Sequence, residues 1–247
     1  MKRKVIFFYG INLLVTVILA LIFGGVLGSI GGNEVILGLI VTMGVQLAPL
    51  ISALIFNKRF KESFKGKCSF KFNKWILAAI LIPVMLVFIS SVIMDFMGIK
   101  YVPTGYKGIV LAVAVITTII GCTAEEIGWR GCLLPVFEEG FSPVVSSVFT
   151  GLLWGLWHFF KISSVGISGF ILFVPTIILF SVIMAYIFNH SGRSLVNMTA
   201  FHCFMNFSTI AFLYERECLQ FYVVLFAVSL VMIGILWLMD RNYFKGR

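Results

Sequence analysis

The chain has 247 residues, of which 60% are hydrophobic and only 12% charged, with a net charge of +9. A soluble domain carries about twice that charged fraction, and the charge here is clustered, so long stretches have none. The composition excludes a soluble globular domain, and without alternating ten-residue strands it does not suit a lipid-exposed barrel.

A stretch of about 20 apolar residues crosses a bilayer as a helix, which satisfies every backbone polar group within the segment. In chain order, hydropathy predicts eight such spans, at 5–28, 35–56, 75–96, 108–136, 143–161, 167–189, 194–214 and 219–239. The fold expected is all-α, a polytopic membrane helix bundle forming a single integral membrane domain over residues 1–247. The first span follows Met1-Lys2-Arg3-Lys4. Its apolar run is longer than a signal-peptide core and more spans follow, so it reads as an uncleaved helix. Asp95 falls near the outer end of the third span and reads as interfacial, and Pro175 is expected to kink the sixth.

The positive charge alternates by side. With the N-terminus in the cytoplasm, the inside carries Lys2, Arg3, Lys4, Lys58, Arg59, Lys61, Lys65, Lys67, Lys71, Lys74, Arg193, Arg241, Lys245 and Arg247. The outside carries only Lys100, Lys107, Lys161 and Arg216. This asymmetry predicts both termini in the cytoplasm and an even number of spans. It also explains the net charge without nucleic acid: the 58–74 loop is expected to lie on anionic headgroups. The partners expected are therefore the lipid bilayer and no nucleic acid.

An ionisable side chain at mid-membrane costs about 2.5–3.5 kcal/mol even on a lenient scale and points to function. The fourth span holds Glu125, Glu126 and Arg130, the fifth Trp154 and His158, and the seventh His202 and Asn206. At a rise of 1.5 Å per residue, Glu125, His158, His202 and Asn206 lie about 18, 22, 12 and 18 Å from the cytoplasmic ends of their helices, one common layer. Thr199, His202, Asn206 and Thr209 share one face. Glu126 and Arg130 are spaced as an i, i+4 ion pair. Glu125 is rotated about 100° away and is free for another task. Gly151 and Gly155 form a GxxxG that lets a neighbouring helix approach. Cys68, Cys122, Cys132, Cys203 and Cys218 show neither a disulfide framework nor metal-type spacing. Buried acids and histidines also occur in proton-coupled transporters, although the internal repeats common there are absent.

Glu125-Glu126-x-x-x-Arg130, the aromatic-x-x-x-His of Trp154 and His158, and His202-x-x-x-Asn206 resemble, in order, the three motifs of the CPBP intramembrane proteases. That family includes the type II CAAX prenyl endopeptidases and the bacteriocin-processing and immunity (Abi) proteins. The resemblance covers residues 108–210, within a motif-bearing core at 108–214. Trp154 stands where the family usually has Phe, an aromatic-for-aromatic change. The resemblance implies hydrolysis of a peptide bond in a membrane-associated peptide or protein, such as a CAAX-like protein, a bacteriocin or a signal-peptide precursor. Amide hydrolysis needs an activated water, a proton for the leaving nitrogen and an oxyanion stabiliser. Glu125 is then the base, His158 helps hold the water, His202 and Asn206 stabilise the oxyanion, and Glu126 and Arg130 brace the site. Glu125, His158 and His202 can also supply a two-His, one-carboxylate zinc set. A metal-free glutamate mechanism uses the same residues and is slightly favoured. A non-catalytic immunity or scaffold protein on the same fold is the alternative. The compact, loop-poor chain suits a bacterial plasma membrane.

Overall fold

The structure, a computed structural model, describes residues 1–30, 32–68, 72–99, 105–212 and 218–246, the side chains of 30 and 212 excepted. Lys71, Lys100, Arg216 and Arg247 of the charge tally, and the last two residues of the 194–214 span, lie outside the described residues. Each of the eight expected spans is occupied by helix: α1 (Lys2–Ile30), α2 (Glu34–Gln46), α3 (Ala48–Phe60), α4 (Lys74–Phe96), α5 (Gly108–Gly128), α6 (Leu134–Glu138), α7 (Pro143–Trp157), α8 (Ile162–His190), α9 (Leu195–Phe212) and α10 (Leu219–Met239), with a short α11 (Arg241–Phe244) after them. Among the described residues, six helical stretches are long and apolar enough to cross a membrane, and Pro143–Trp157 is a shorter apolar helix. The chain is a polytopic helical membrane protein. Its lipid-facing surface is apolar, as at Leu21, Ile109, Ile167 and Val231.

Three spans depart from plain helices. The second breaks at Leu47 into α2 and α3, because Pro49 has no N–H to continue the ladder. The fourth runs from α5 to α6 through a π-helical turn, Trp129–Leu133, that contains Arg130. The fifth is shorter than expected: α7 stops at Trp157, so His158 caps the helix instead of lying inside it, and a 3-10 turn at Phe159–Lys161 leads into α8. The sixth thus begins at Ile162, with non-helical Gly166 near its start (φ 69°).

The basic segments gather at one end. Lys4 bonds both Glu62 and Glu139 at 2.9 Å, and Arg193 pairs with Glu138 at 2.6 Å. His190 meets Asp240 at 3.0 Å. The loop after α3 does more than rest on headgroups. The Lys65 N–H donates to Gly131 O, and Lys67 pairs with the Arg193–Leu195 backbone. The N-terminus, this loop, the α6–α7 turn, the α8–α9 turn and the C-terminal segment therefore share one face of the bundle, which requires an even number of crossings.

α5 is central, packing on α2 and α3 on one side and α9 on the other, while α8 packs on α7 and α10. Phe8, Phe56, Trp129 and Trp157 form an edge-to-face chain that joins α1, α3, the π turn and α7. The α7–α8 contact depends on glycine. A Cβ at Gly151 would meet Ser181 Cβ at 2.7 Å and Ile178 Cα at 2.8 Å, and one at Gly155 would meet Val174 Cα at 3.3 Å. Gly151→Ala is therefore expected to lose about 1–3 kcal/mol by forcing these helices apart. Gly24→Ala, which meets nothing within 4 Å, should be close to neutral. Melting curves of the two variants in detergent check this, and equal midpoints would refute it.

Candidate active site

Glu125 owes its position to the glycines on its own face of α5. A Cβ at Gly121 would overlap the Gln46 side chain, and one at Gly128 would come within 2.7 Å of the Pro49 carbonyl group. Lacking them, α5 lies directly on the α2–α3 break. Glu125, between the two glycines, then reaches Gln46. Gln46 Nε2 donates to Glu125 Oε1 at 2.8 Å, and the Trp154 indole N–H donates to Oε2 at 2.8 Å. The carboxyl group is fully buried and held between helices α2 and α7.

Glu126, one residue on, points elsewhere, as its rotation requires. Its Oε1 accepts from Arg130 Nη1 at 3.1 Å and from His202 Nδ1 at 2.9 Å. Both Glu126 and Arg130 are wholly buried. The guanidinium stands 4.1 Å over the Trp154 ring, and its Nη2 meets Met184 Sδ at 3.2 Å. Glu126 Oε2 and Arg130 Nε have no hydrogen-bond partner among the described residues. Trp154 joins the two carboxylates: its N–H holds Glu125, its face takes Arg130, and its ring packs edge-on against His202 at 5.3 Å. The exchange of Trp for the usual Phe is thus not neutral here, because phenylalanine has no N–H to give.

His158 is fixed by its place at the end of α7. Its Nδ1 lies 2.8 Å from the Trp154 carbonyl. Nδ1 must then carry the proton, which leaves Nε2 of the neutral ring as an acceptor. His202 likewise directs Nδ1–H at Glu126, the arrangement in which a carboxylate sets an imidazole's tautomer and orientation. Asn206 donates to Cys122 Sγ at 3.3 Å.

Glu125, His158, His202 and Asn206 all line one cavity of about 940 Å³, together with Gln46 and Thr117. Glu126 and Arg130 do not line it. They stand behind it, bonded to groups that do. Gln46 was not singled out from the sequence, since no motif occurs before residue 107. The signal was an amide side chain inside the apolar run 35–56, whose cost in lipid calls for a partner.

The zinc alternative does not fit this arrangement. Among the described residues, no three His, Cys, Asp or Glu side chains come together in a way that could hold a metal ion. Only the Nε2 atoms of His158 and His202 and the remaining lone pairs of Glu125 would be open to an ion, since both Nδ1 atoms and one lone pair on each Glu125 oxygen are already used.

Residues 107–208 match the family described as Type II CAAX prenyl endopeptidase Rce1-like. The matched stretch contains all three motifs. No curated protein matches the sequence.

The geometry assigns different costs to the two carboxylates. Glu126→Gln leaves the Arg130 charge buried without its partner, and breaking such a pair costs about 3–5 kcal/mol. A lowered melting midpoint is expected. The double variant Glu126→Gln, Arg130→Met removes both charges and should recover part of that loss. A Glu126→Gln protein as stable as wild type in thermal melts would contradict the bracing role.

Proposed function

We propose, for a chain whose residues 107–208 carry the match to the CPBP/CAAX protease family, an intramembrane endopeptidase that uses a water activated by Glu125. The observation that supports this reading best is the convergence of Glu125, His158, His202 and Asn206 from α5, the end of α7 and α9 on one cavity. Such a cavity falls within the size range of ligand pockets, about 300–1,000 Å³, and it combines apolar walls with a few convergent polar groups.

The chemistry follows from the atoms available. A water beside Glu125 is deprotonated as its oxygen bonds the scissile carbonyl carbon. The Gln46 and Trp154 N–H groups hold the carboxylate still, and each of its oxygens keeps a further lone pair for the proton. His158, with Nε2 free to accept, orients the same water. As the carbonyl becomes an oxyanion, donors fixed in a low-dielectric site stabilise it far more than water would. His202 serves if protonated on both nitrogens, one held by Glu126 and the other directed at the oxyanion. The Asn206 amide would supply the second donor on exchanging its contact with Cys122. The carbon–nitrogen bond then breaks, and Glu125 returns the proton to the leaving amine. No step passes through a metal ion.

The substrate proposed is a membrane-associated peptide or protein, of the CAAX-like, bacteriocin or signal-peptide-precursor kind. The location proposed is a bacterial plasma membrane, with both termini cytoplasmic on the strength of the charge asymmetry.

Glu125→Gln keeps volume, and with its oxygen accepting from Trp154 and the Gln46 amide turned to accept from its NH2 it keeps both hydrogen bonds, but it cannot take a proton. Loss of a general base is expected to lower peptide cleavage by about 10²–10⁴-fold, with the melting midpoint little changed, since a neutral amide is the easier group to bury. Comparable cleavage by wild type and variant in nanodiscs would remove Glu125 from the base role.

Cleavage in detergent is expected to survive a strong chelator. Activity lost on chelation and restored by added zinc, with stoichiometric zinc in the purified protein, would replace the metal-free mechanism.

A further inference from the structure

The cavity does not lead toward the basic end of the bundle. From Gln46 its lining climbs α2 to Glu34, and from His202 it follows α9 to Ile210, taking in Lys161 and Ser163 beside the start of α8. The stretches Glu34–Phe60 and Phe159–His190 are each long enough to cross the membrane. Their C-terminal ends belong to the basic face, where Phe60 runs into the loop that bonds Gly131 and where His190 meets Asp240. Glu34 and Lys161 therefore mark the opposite end. Gln46, twelve residues along from Glu34, lies about 18 Å below that mouth.

The other direction is closed. None of the described residues of the basic-end loops lines the cavity. Between the cavity and the basic end stand the fully buried Trp129 and the Glu126–Arg130 pair, none of which lines the cavity. The mouth also faces the bilayer. Leu21, Val35, Phe159 and Phe160 line the cavity and are exposed on the bundle surface as well.

We propose that substrate reaches Glu125 only from the end opposite the basic loops. By the charge asymmetry this is the extracytoplasmic side. The substrate class is then a peptide already exported, or the outer juxtamembrane stretch of a membrane protein, which slides in past apolar side chains at that leaflet. A chain presented from the cytoplasm meets the closed floor. This rests on the endopeptidase reading for what happens at Glu125, but the route is testable without turnover.

The test uses the full chain in intact cells, with the non-buried cysteines removed by Cys68→Ser and Cys218→Ser. On this background Ser163→Cys marks the mouth, with Val35→Cys as a second mouth position, and Lys65→Cys marks the basic end. A charged, membrane-impermeant maleimide is added before or after permeabilisation. Labelling of the mouth positions in intact cells, and of Lys65→Cys only after permeabilisation, is expected. Cleavage of a membrane-anchored reporter should be lost once Ser163→Cys is modified and kept once Lys65→Cys is modified. Reversed labelling overturns the route, as does protection of both mouth positions in intact cells, or full cleavage by a chain modified at Ser163→Cys. A chain that is labelled as expected but cleaves no reporter upholds the route and counts against the peptidase reading alone.

Discussion

An ion pair taken out of water in the middle of a bilayer is the constraint around which this bundle is arranged. Arg130 and Glu126 are both wholly buried. The penalty for each charge is several kcal/mol unless partners replace the lost hydration. The replacement comes from other helices: the α7 indole of Trp154 beneath the guanidinium, the α8 thioether of Met184 beside it, and the α9 imidazole of His202 on the shared carboxylate. Satisfying this pair therefore fixes the rotation of three helices about α5. Those rotations also place Trp154 Nε1 on Glu125 and expose His202 to the cavity. The buried bracing groups and the groups that line the cavity are thus two layers of one hydrogen-bonded network.

The backbone accommodates this network through local breaks. Gly121 and Gly128 let α5 touch α2–α3, and Pro49 ends α2 so that Gln46 stands at a helix terminus opposite Glu125. The π turn at Trp129–Leu133 begins three residues after Glu126, and such insertions are frequent at functional sites. Its Gly131 carbonyl is not left open. It accepts from the Lys65 N–H, so the basic loop secures the turn from below. His158 gains from the early end of α7, where its ring can bond back to the Trp154 carbonyl and still line the cavity.

This division gives the bundle a firm side and an open side. Toward the basic face, ion pairs among Lys4, Glu62, Glu139, Glu138 and Arg193 close the ends of the helices. Toward the other face the walls of the cavity are apolar side chains with lipid on their outer side. A reaction that needs a water but must exclude bulk solvent is served by such a blind pocket, in which fixed dipoles act at low dielectric.

The sequence by itself determined the class, the gathering of the basic segments at one end and the motif residues. Hydropathy is a property of local segments, so all eight helical regions could be located from it. Charge counting needs only the order of the segments, and the basic loops do share one end. The i, i+4 rule placed Glu126 against Arg130, and their one-residue offset left Glu125 for another partner. The tertiary structure alone decided which partners those are. Gln46 lies outside every motif, and the indole N–H of Trp154 has significance only once Glu125 is opposite it. Nor could spacing show that no metal-holding group assembles among the described residues, that the second span breaks just after Gln46, that His158 sits at a helix end, or which end of the cavity is closed. The physical reason is the same throughout. Periodicity specifies the face of one helix, whereas hydrogen-bond partners and cavity mouths depend on how separate helices rotate, cross and end against one another.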